Sequence, residues 1–538
     1  MNGVAVETAV VSGLLVVVVA AILVRRINLP YTVLLVLIGL LLGFVPLVSH
    51  FELTPAVILL IFLPPLLFEA SFNLHEESLR ESLPAMLLLA IPGTVVGALV
   101  IAALLHASTG KPLSILFVFG ALVAATDPIS VLAVFRRLGV SRRLATVVEG
   151  ESLFNDGVAI VLFGIALEIA QGRPFHLTHG LVEFSRVAAG GVVAGLVCAL
   201  LAIVLLRRIT DALIETALTT VVAFGAYVLA ERLEVSGVIA VVVAGIVLGR
   251  ERAVSISPSS RVMLGSFWEY VSFLGNSMIF LLMGMSIAAP ALWDNLGTVA
   301  LVMLVVLVSR LVIVVLVNSV LRVVGQPLPW RWLPVLTWGG LRGAVTLALA
   351  LSLPLGLPER DWMQVMAFGV VLVSLLGEGL TMEPLVRLLG LGNPRQAEYE
   401  RQLARLFAIN RALRVLDQEQ EQGTLLPNVV ALVRADYEEA ARQAHRELEA
   451  LEARDSRLRQ QQLRLTRRQA LLAERAALHD LGRQGQISAE TLDDLLQAVD
   501  TALLRLDEPG EEPVAGDEKV ESRATPPAAR ARPALPPE

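Results

Sequence analysis

The feature that most constrains this chain is the recurrence of apolar segments about 20 residues long, the length a helix needs to cross a ~30 Å hydrocarbon core. No soluble core buries so many such segments in one chain, so the pattern predicts an all-α polytopic membrane protein. We place thirteen transmembrane helices at residues 5–24, 29–48, 53–72, 84–106, 113–135, 143–171, 181–206, 211–231, 235–250, 265–288, 296–321, 331–354 and 362–388.

Charge divides the chain into a membrane part and a polar tail. Residues 1–395 contain 23 Lys and Arg against 23 Asp and Glu, so the whole net charge of −6 belongs to the tail. We therefore predict a transmembrane domain at 1–395, a helical cytoplasmic domain at 396–508 and a disordered Pro-rich segment at 509–538. The acidic balance argues against a nucleic-acid partner, and the single Cys198 excludes a disulfide framework.

Basic residues in the connecting loops predict the orientation. The loops after odd-numbered spans carry 14 Lys and Arg, and the loops after even-numbered spans carry 4. Because cytoplasmic loops are enriched in Lys and Arg, the odd-numbered loops are expected inside the cell. We therefore expect the N-terminus outside and the tail in the cytoplasm.

Helix-breaking residues interrupt two of the predicted spans. Span 5 contains the string Thr126-Asp127-Pro128, and span 12 contains the glycine-rich stretch 339–343 with Arg342 inside it. Each is the fifth span of a six-span block if span 7 links two halves, and six spans per half give those halves opposite topology. Interrupted spans at matching positions in two inverted repeats indicate the binding site of a transporter.

Several charged side chains lie at membrane depth, where they are expensive and usually functional. Ser152, Asn155 and Asp156 share one stripe of span 6, and Glu69 and Asp127 lie in spans 3 and 5. Oxygen donors without a His or Cys cluster suit a hard cation. A desolvated carboxylate also retains a proton near neutral pH, so cation and proton would compete for it.

The strings LPPLLFEA, ATDPISV, GESLFND and GGLRGAV, in this order, resemble the monovalent cation:proton antiporters of the sodium/proton exchanger type, in the bacterial NhaP-like branch. The resemblance covers about residues 5–390. It implies a homodimer with a six-helix core in which two broken helices cross and which moves like an elevator. It also implies a multi-pass protein of the bacterial inner membrane that exchanges Na⁺ for H⁺, needs no cofactor and is not an enzyme.

The resemblance assigns roles to individual residues. Asp156 would alternately bind Na⁺ and H⁺. Ser152, the Thr126 backbone and Asp127 would complete or support the ion site, with Glu69 nearby. Asn155 resembles the residue found in electroneutral exchangers, which exchange one cation for one proton. Glu151 and Arg342 would form a buried structural ion pair.

Other interpretations remain open from sequence alone. Asp156 is alternatively a structural carboxylate paired with an arginine, Asp127 a helix cap, and Glu69 a span-end carboxylate facing water. K⁺ or Li⁺ would suit the same oxygen ligands, so a K⁺/H⁺ antiporter is the main alternative. A hydrolase using Ser152 lacks a histidine base at membrane depth, and a cation channel does not need proton-binding carboxylates. Glu149 and Glu378 have no assigned role, and Arg310 is expected to be structural.

Overall fold

The computed structural model is helical and divides into two compact units, residues 1–394 and 395–538. It describes residues 3–24, 31–43, 57–74, 76–172, 177–209, 211–255, 258–286, 289–421, 427–454, 456–483 and 486–507. The basic pair Arg25 and Arg26 and the segment 509–538, which was predicted to be disordered, lie outside the described residues.

The first unit begins with helices that precede and include the polar stripe of span 6. Their bounds are α1 Gly3–Val24, α2 Tyr31–Gly43, α3 Leu63–Phe72, α4 Glu76–Leu88, α5 Thr94–Thr109, α6 Leu113–Leu122, α7 Ile129–Leu138 and α8 Arg142–Ala170. A π-helical segment, Val57–Phe62, leads into α3, and another, Leu89–Gly93, joins α4 to α5.

The unit continues through the second interrupted span. The bounds here are α9 Leu177–Leu206, α10 Ala212–Arg232, α11 Gly237–Ser255, α12 Pro258–Ser286, α13 Ala289–Asp294, α14 Leu296–Val323, α15 Trp332–Trp338, α16 Ala344–Leu351, α17 Arg360–Val373 and α18 Gly379–Leu388. The π-helical segment Ser374–Glu378 joins α17 to α18.

Six stretches of the described chain are long and apolar enough to cross a membrane. These are Ser78–Thr109, Arg142–Ala170, Val182–Leu206, Ala212–Arg232, Leu296–Val323 and Arg360–Leu388. Shorter apolar helices cover Gly13–Leu23, Tyr31–Gly43, Ile58–Phe72 and Leu113–Leu122. The six stretches correspond to predicted spans 4, 6, 7, 8, 11 and 13. Interruption splits spans 5 and 12, part of spans 2 and 3 lies outside the described residues, and helices α1, α11 and α12 cover spans 1, 9 and 10 without meeting the same length and composition.

Aromatic packing on α12 fixes the helices around the site. Trp268 is fully buried, its ring lies 4.7 Å from that of Phe68 on α3, and its indole N–H donates to Thr219 Oγ1 on α10 at 3.1 Å. Tyr31 on α2 stacks on Phe273 with ring centroids 5.4 Å apart. An indole buried with its N–H satisfied holds three helices in one arrangement, so α3 is positioned firmly against α12.

The second unit consists of helices α19 Pro394–Glu421, α20 Pro427–Arg454, α21 Ser456–Arg483 and α22 Ala489–Asp507. Tyr399, Leu406, Ala444 and Leu448 form a small buried cluster between α19 and α20. Ser488 Oγ accepts a 3.2 Å hydrogen bond from the Thr491 amide, so Ser488 caps the start of α22.

Candidate functional site

The first interrupted helix is α6 and α7 with residues 123–128 unwound between them. Pro128 has no amide proton, so the helical ladder does not continue through it. Asp127 Oδ1 accepts a 3.0 Å hydrogen bond from the Ile129 amide, which caps the first turn of α7. The cap interpretation of Asp127 therefore agrees with the structure, and one of its oxygens has a backbone partner.

The second interrupted helix is α15 and α16 with residues 339–343 unwound between them. The two unwound segments meet, because the Asp127 amide donates to the Leu341 carbonyl at 2.7 Å. Gly343 lies so close to the Asp127 carboxylate that a Cβ atom there would overlap it. The glycine-rich composition of this segment is thus what permits the two interrupted helices to touch.

The long helix α8 holds the unwound backbone of α6–α7 through two side chains. Ser152 Oγ donates to the Thr126 carbonyl, and Asn155 Nδ2 donates to Thr126 Oγ1 at 2.6 Å. The Thr126 amide donates in return to Asn155 Oδ1 at 3.4 Å. Asn155 therefore satisfies the amide and the hydroxyl of Thr126, and Ser152 satisfies its carbonyl, although this residue has left the helical ladder.

A cavity of about 320 Å³ brings the predicted ion-binding residues together. Asp156, Ser152, Thr126, Asp127 and Glu69 all line it. Among the residues that the structure describes, none donates a hydrogen bond to the Asp156 carboxylate, nor does any basic side chain pair with it. The structural interpretation of Asp156, a carboxylate paired with an arginine, has no support in this arrangement.

Glu69 reaches the same cavity from α3. Its carboxylate accepts hydrogen bonds from Asn73 Nδ2 at 2.8 Å and from Ser272 Oγ of α12 at 3.3 Å. These two donors fix the carboxylate at the cavity wall. The chain thus places carboxylates from α3, from the unwound segment before α7 and from α8 around one space.

Sequence reasoning left several cavity residues without a role. Glu149 lies one turn before Ser152 on α8, so helical periodicity could have predicted that it lines the same cavity. Glu269 was a charged residue inside a predicted span, which was also a signal. No sequence pattern indicated the remaining polar neighbours, Arg136, Ser272, Asn276 and Thr346, which reach the cavity from α7, α12 and α16.

The structure corrects the expected ion pair. Glu151 pairs with Arg310 of α14, not with Arg342. Arg310 Nη2 lies 2.7 Å from Glu151 Oε2, and Nη1 contacts the other oxygen, so the pair is bidentate and buried. The Arg310 Nε atom also donates to the Leu336 carbonyl at 3.0 Å. Arg310 thus has buried partners on two elements, and its structural role stays a prediction.

Arg342 instead satisfies the ends of the unwound helices. Its Nε donates to the Val123 carbonyl at 3.0 Å, and its Nη1 donates to the Gly340 carbonyl. Val123 ends α6, where carbonyls lack helical partners and the helix dipole is negative. A guanidinium in the unwound segment is better placed for these carbonyls than for Glu151, which is why the pairing differs.

Comparison with known proteins agrees with this architecture. Residues 13–388 match the family model described as sodium/hydrogen exchanger, transmembrane. The chain is 40% identical over 391 residues to the Na⁺/H⁺ antiporter ApNhaP of Aphanothece halophytica, covering 72% of this chain and 75% of that protein. It is 41% identical over 409 residues to the low-affinity Na⁺/H⁺ antiporter NhaS1 of Synechocystis, covering 74% and 77%.

The fold has a solved counterpart. The structure of the sodium proton antiporter MjNhaP1 from Methanocaldococcus jannaschii at pH 8 superposes with a TM-score of 0.59 at 21% identity, covering 72% of this chain and all of that one. The same assignment follows from the sequence motifs, from the two interrupted helices that touch, and from the family match over most of the first unit. The chain therefore belongs to the sodium/hydrogen exchanger family, in its NhaP-like branch.

Proposed function

We propose that the chain is a secondary active antiporter that exchanges Na⁺ for H⁺ across the bacterial inner membrane. The observation that carries the proposal is the Asp156 carboxylate, which lines a 320 Å³ cavity without a hydrogen-bond donor or basic partner among the described residues. Such a group is available to a cation or to a proton, and the two exclude each other. This competition couples the two movements without any covalent step, so the protein is not an enzyme.

The donor set favours a hard monovalent cation. The Asp156 and Glu69 carboxylates, the Ser152 hydroxyl and the Thr126 carbonyl supply oxygen atoms around the cavity. Carboxylate, hydroxyl and carbonyl ligands do not by themselves fix ion size, so Li⁺ and K⁺ are the alternative cations, and a K⁺/H⁺ antiporter of the same fold is the alternative function.

We further propose an electroneutral exchange of one cation for one proton. Of the two carboxylates nearest the contact between the unwound segments, Asp127 already uses one oxygen to accept the Ile129 amide as a helix cap. Asn155, which carries no charge, occupies the position next to Asp156. One exchangeable carboxylate supports the movement of one charge in each direction.

The remaining features are proposed from the sequence pattern and the family. They are thirteen transmembrane helices in two inverted repeats, an external N-terminus, a cytoplasmic tail, a homodimer in lipid, and elevator-type movement of the core. The interrupted helices support the core assignment because they touch at Asp127 and Leu341, and because α6, α7 and α16 pack against α8.

Transport in liposomes tests the function. We expect an imposed Na⁺ gradient to drive proton movement in vesicles that contain the wild-type protein. Asp156→Asn should abolish it, and Glu168→Gln, on the same helix but outside the cavity lining, should not. Proton movement unchanged by a valinomycin voltage clamp supports electroneutrality. A wild-type protein that moves no protons with Na⁺, Li⁺ or K⁺ would falsify the antiporter assignment.

A further inference from the structure

Glu378 is a buried carboxylate that the transport site does not use. It ends the π-helical segment Ser374–Glu378, its residue is 1% exposed, and neither carboxylate oxygen has a hydrogen-bond partner among the described residues. Buried polar groups are almost always hydrogen-bonded, and π-helical segments occur often at functional sites. Both observations call for a physical reason for a glutamate here.

The charged groups that face Glu378 are two arginines. The Arg342 and Arg310 guanidinium groups are its electrostatic neighbours, and Glu151 already neutralises Arg310 through a bidentate pair. The Arg342 guanidinium donates its hydrogen bonds to the Val123 and Gly340 carbonyls. Carbonyl oxygens carry no net charge, so these bonds do not balance the positive charge of Arg342. By formal charge the buried group therefore contains two arginines and two glutamates, and Glu378 is the carboxylate that is left to balance Arg342.

The other elements packed against this segment offer Glu378 no alternative partner. Helix α2 has no charged residue, and the hydroxyl of its Tyr31 is bonded to Ser277. The charged residues of α17 and α18 already have other partners: Arg360 pairs with Asp361, and Glu383 pairs with Arg387 and with Arg137 of α7. Arg342 is thus the arginine near Glu378 that has no carboxylate in contact within the described chain.

This charged group adjoins the ion site. The Arg342 amide donates to Ser374 Oγ at 3.2 Å, which ties the unwound segment to the π-helical segment that carries Glu378. Arg310 and Arg342 also line a cavity of about 20 Å³ together with Thr126 and Asn155. Asn155 precedes Asp156 on α8 and bonds to Thr126, which lines the ion cavity. Unbalanced positive charge at Arg342 would act on any cation bound there, since screening is weak in a buried site.

We propose that Glu378 is a positioning residue for cation exchange, which balances the charge of Arg342 so that the crossing of the interrupted helices does not repel the transported cation. The inference rests on the proposed antiporter function. It assigns Glu378 to the electrostatics of the site and not to packing, since a packing role would be served equally by the isosteric glutamine.

The test is Glu378→Gln in liposomes, with the KM for Na⁺ and the pH profile as readouts. Loss of the negative charge should raise the KM about three- to tenfold, as expected for one unit charge acting through a protein interior, while the maximal rate stays near wild type. The pH optimum should move to lower pH, because the added positive potential weakens proton binding at Asp156 as well. Glu378→Asp should keep the wild-type KM and pH optimum.

Two comparisons make the outcome decisive. Asp361→Asn, which removes a carboxylate that is 94% exposed at the start of α17, should leave the KM and the pH optimum unchanged. If Glu378→Gln does not fold, the double variant Arg342→Gln/Glu378→Gln should recover folding, because it removes the unbalanced arginine too. Equal failure of both variants, or a Glu378→Gln protein with wild-type KM and pH optimum, overturns the proposal. A wild-type protein without transport contradicts the antiporter function instead.

Discussion

The Asp127 amide donates a 2.7 Å hydrogen bond to the Leu341 carbonyl, so the unwound segments of the two interrupted helices are joined backbone to backbone. Arg342 adds a second link by donating from Nε to the Val123 carbonyl. Each bond satisfies a backbone group that its own helix has left without a partner. Any relative movement of these half-helices would have to break such bonds and replace them. We therefore expect the two unwound segments to move together.

Gly343 is the residue whose substitution tests that close contact. In Gly343→Ala the new methyl group overlaps the Asp127 carboxylate, and neighbouring backbone must shift. Overpacking of this kind costs typically about 1–3 kcal/mol, so we expect a lower melting temperature together with at least a tenfold loss of transport. Both are measured on purified protein, by thermal unfolding in detergent and by proton flux in liposomes.

Gly356→Ala is the matched control, because a Cβ atom at Gly356 meets nothing within 4 Å. It should retain wild-type flux and melting temperature. If Gly343→Ala behaved like this control, the tight contact between the unwound segments would not be required for transport.

Ser152 links the ion site to the unwound backbone. Ser152→Ala removes the hydroxyl that donates to the Thr126 carbonyl and with it one oxygen of the cavity. An interaction between a polar group and a charged group contributes about 1.5–3 kcal/mol. Because Ser152→Ala removes such an interaction with the bound cation, we expect the KM for Na⁺ to rise by about tenfold or more. Initial rates of proton flux at graded Na⁺ concentrations give this value.

Ser309→Ala separates the ion effect from the loss of a buried hydrogen bond. Ser309 Oγ also donates to a backbone carbonyl, that of Gly97, at 3.1 Å, but it does not line the 320 Å³ cavity. Both variants should lose similar stability, and the KM should change in Ser152→Ala alone. A similar KM change in both would assign the effect to the fold.

Local periodicity and helix breakers predicted much of the site. Ser152, Asn155 and Asp156 follow one helical stripe, and Pro128 and the glycines at 339–343 mark where helices stop, so these features depend on neighbours along the chain. The structure brings the five residues predicted to bind the ion to one cavity. Their transport role stays a prediction that the variants above address.

The pairing of the arginines was not predictable in the same way. Arg310 lies 159 residues from Glu151 in sequence, and nothing in either helix indicates which of two arginines approaches a given carboxylate. The choice depends on how α14 crosses α8 and on the free carbonyls at the end of α6. Such contacts follow from tertiary packing, for which a single sequence carries no periodic signal.

The second unit contains a group with a pH response of its own. Burial and the hydrogen bond from the Tyr399 hydroxyl to Glu452 Oε1, 2.6 Å long, raise the pKa of Tyr399 to about 12 from an ordinary value of 10. Because the folded-state pKa is higher, this contribution to stability is complete below pH 10 and is lost as the pH rises toward 12. A difference titration of tyrosinate absorbance, wild type minus Tyr399→Phe, should have its midpoint near pH 12.

Glu452→Gln serves as the comparison for that titration. It keeps the buried position of Tyr399 but removes the negative charge that opposes formation of the phenolate. The difference midpoint should therefore fall toward 10 without reaching it. A midpoint at 10 in the wild-type protein would contradict the contact between Tyr399 and Glu452.

The buried pair of Glu151 and Arg310 gives the largest expected effect on stability. Glu151→Gln leaves the Arg310 guanidinium without its counter-ion at a site where the two side chains are 3% and 7% exposed. Removing one partner of a buried ion pair costs about 3–5 kcal/mol, which thermal unfolding in detergent should detect as a large fall in melting temperature. The exposed pair of Glu183 and Arg186 is the control, and Glu183→Gln should change stability by about 0–1 kcal/mol.

Replacing both members of the buried pair separates charge from packing. In Glu151→Gln/Arg310→Met no unpaired charge remains, so much of the stability lost in Glu151→Gln should return. The stability should not return in Glu151→Gln/Arg342→Met, because Arg310 still lacks its counter-ion in that variant. The substitution of Arg342 also removes its bonds to the Val123 and Gly340 carbonyls. Recovery in the second double variant instead of the first would mean that Glu151 pairs with Arg342 in the membrane, and the pairing described here would have to be reversed.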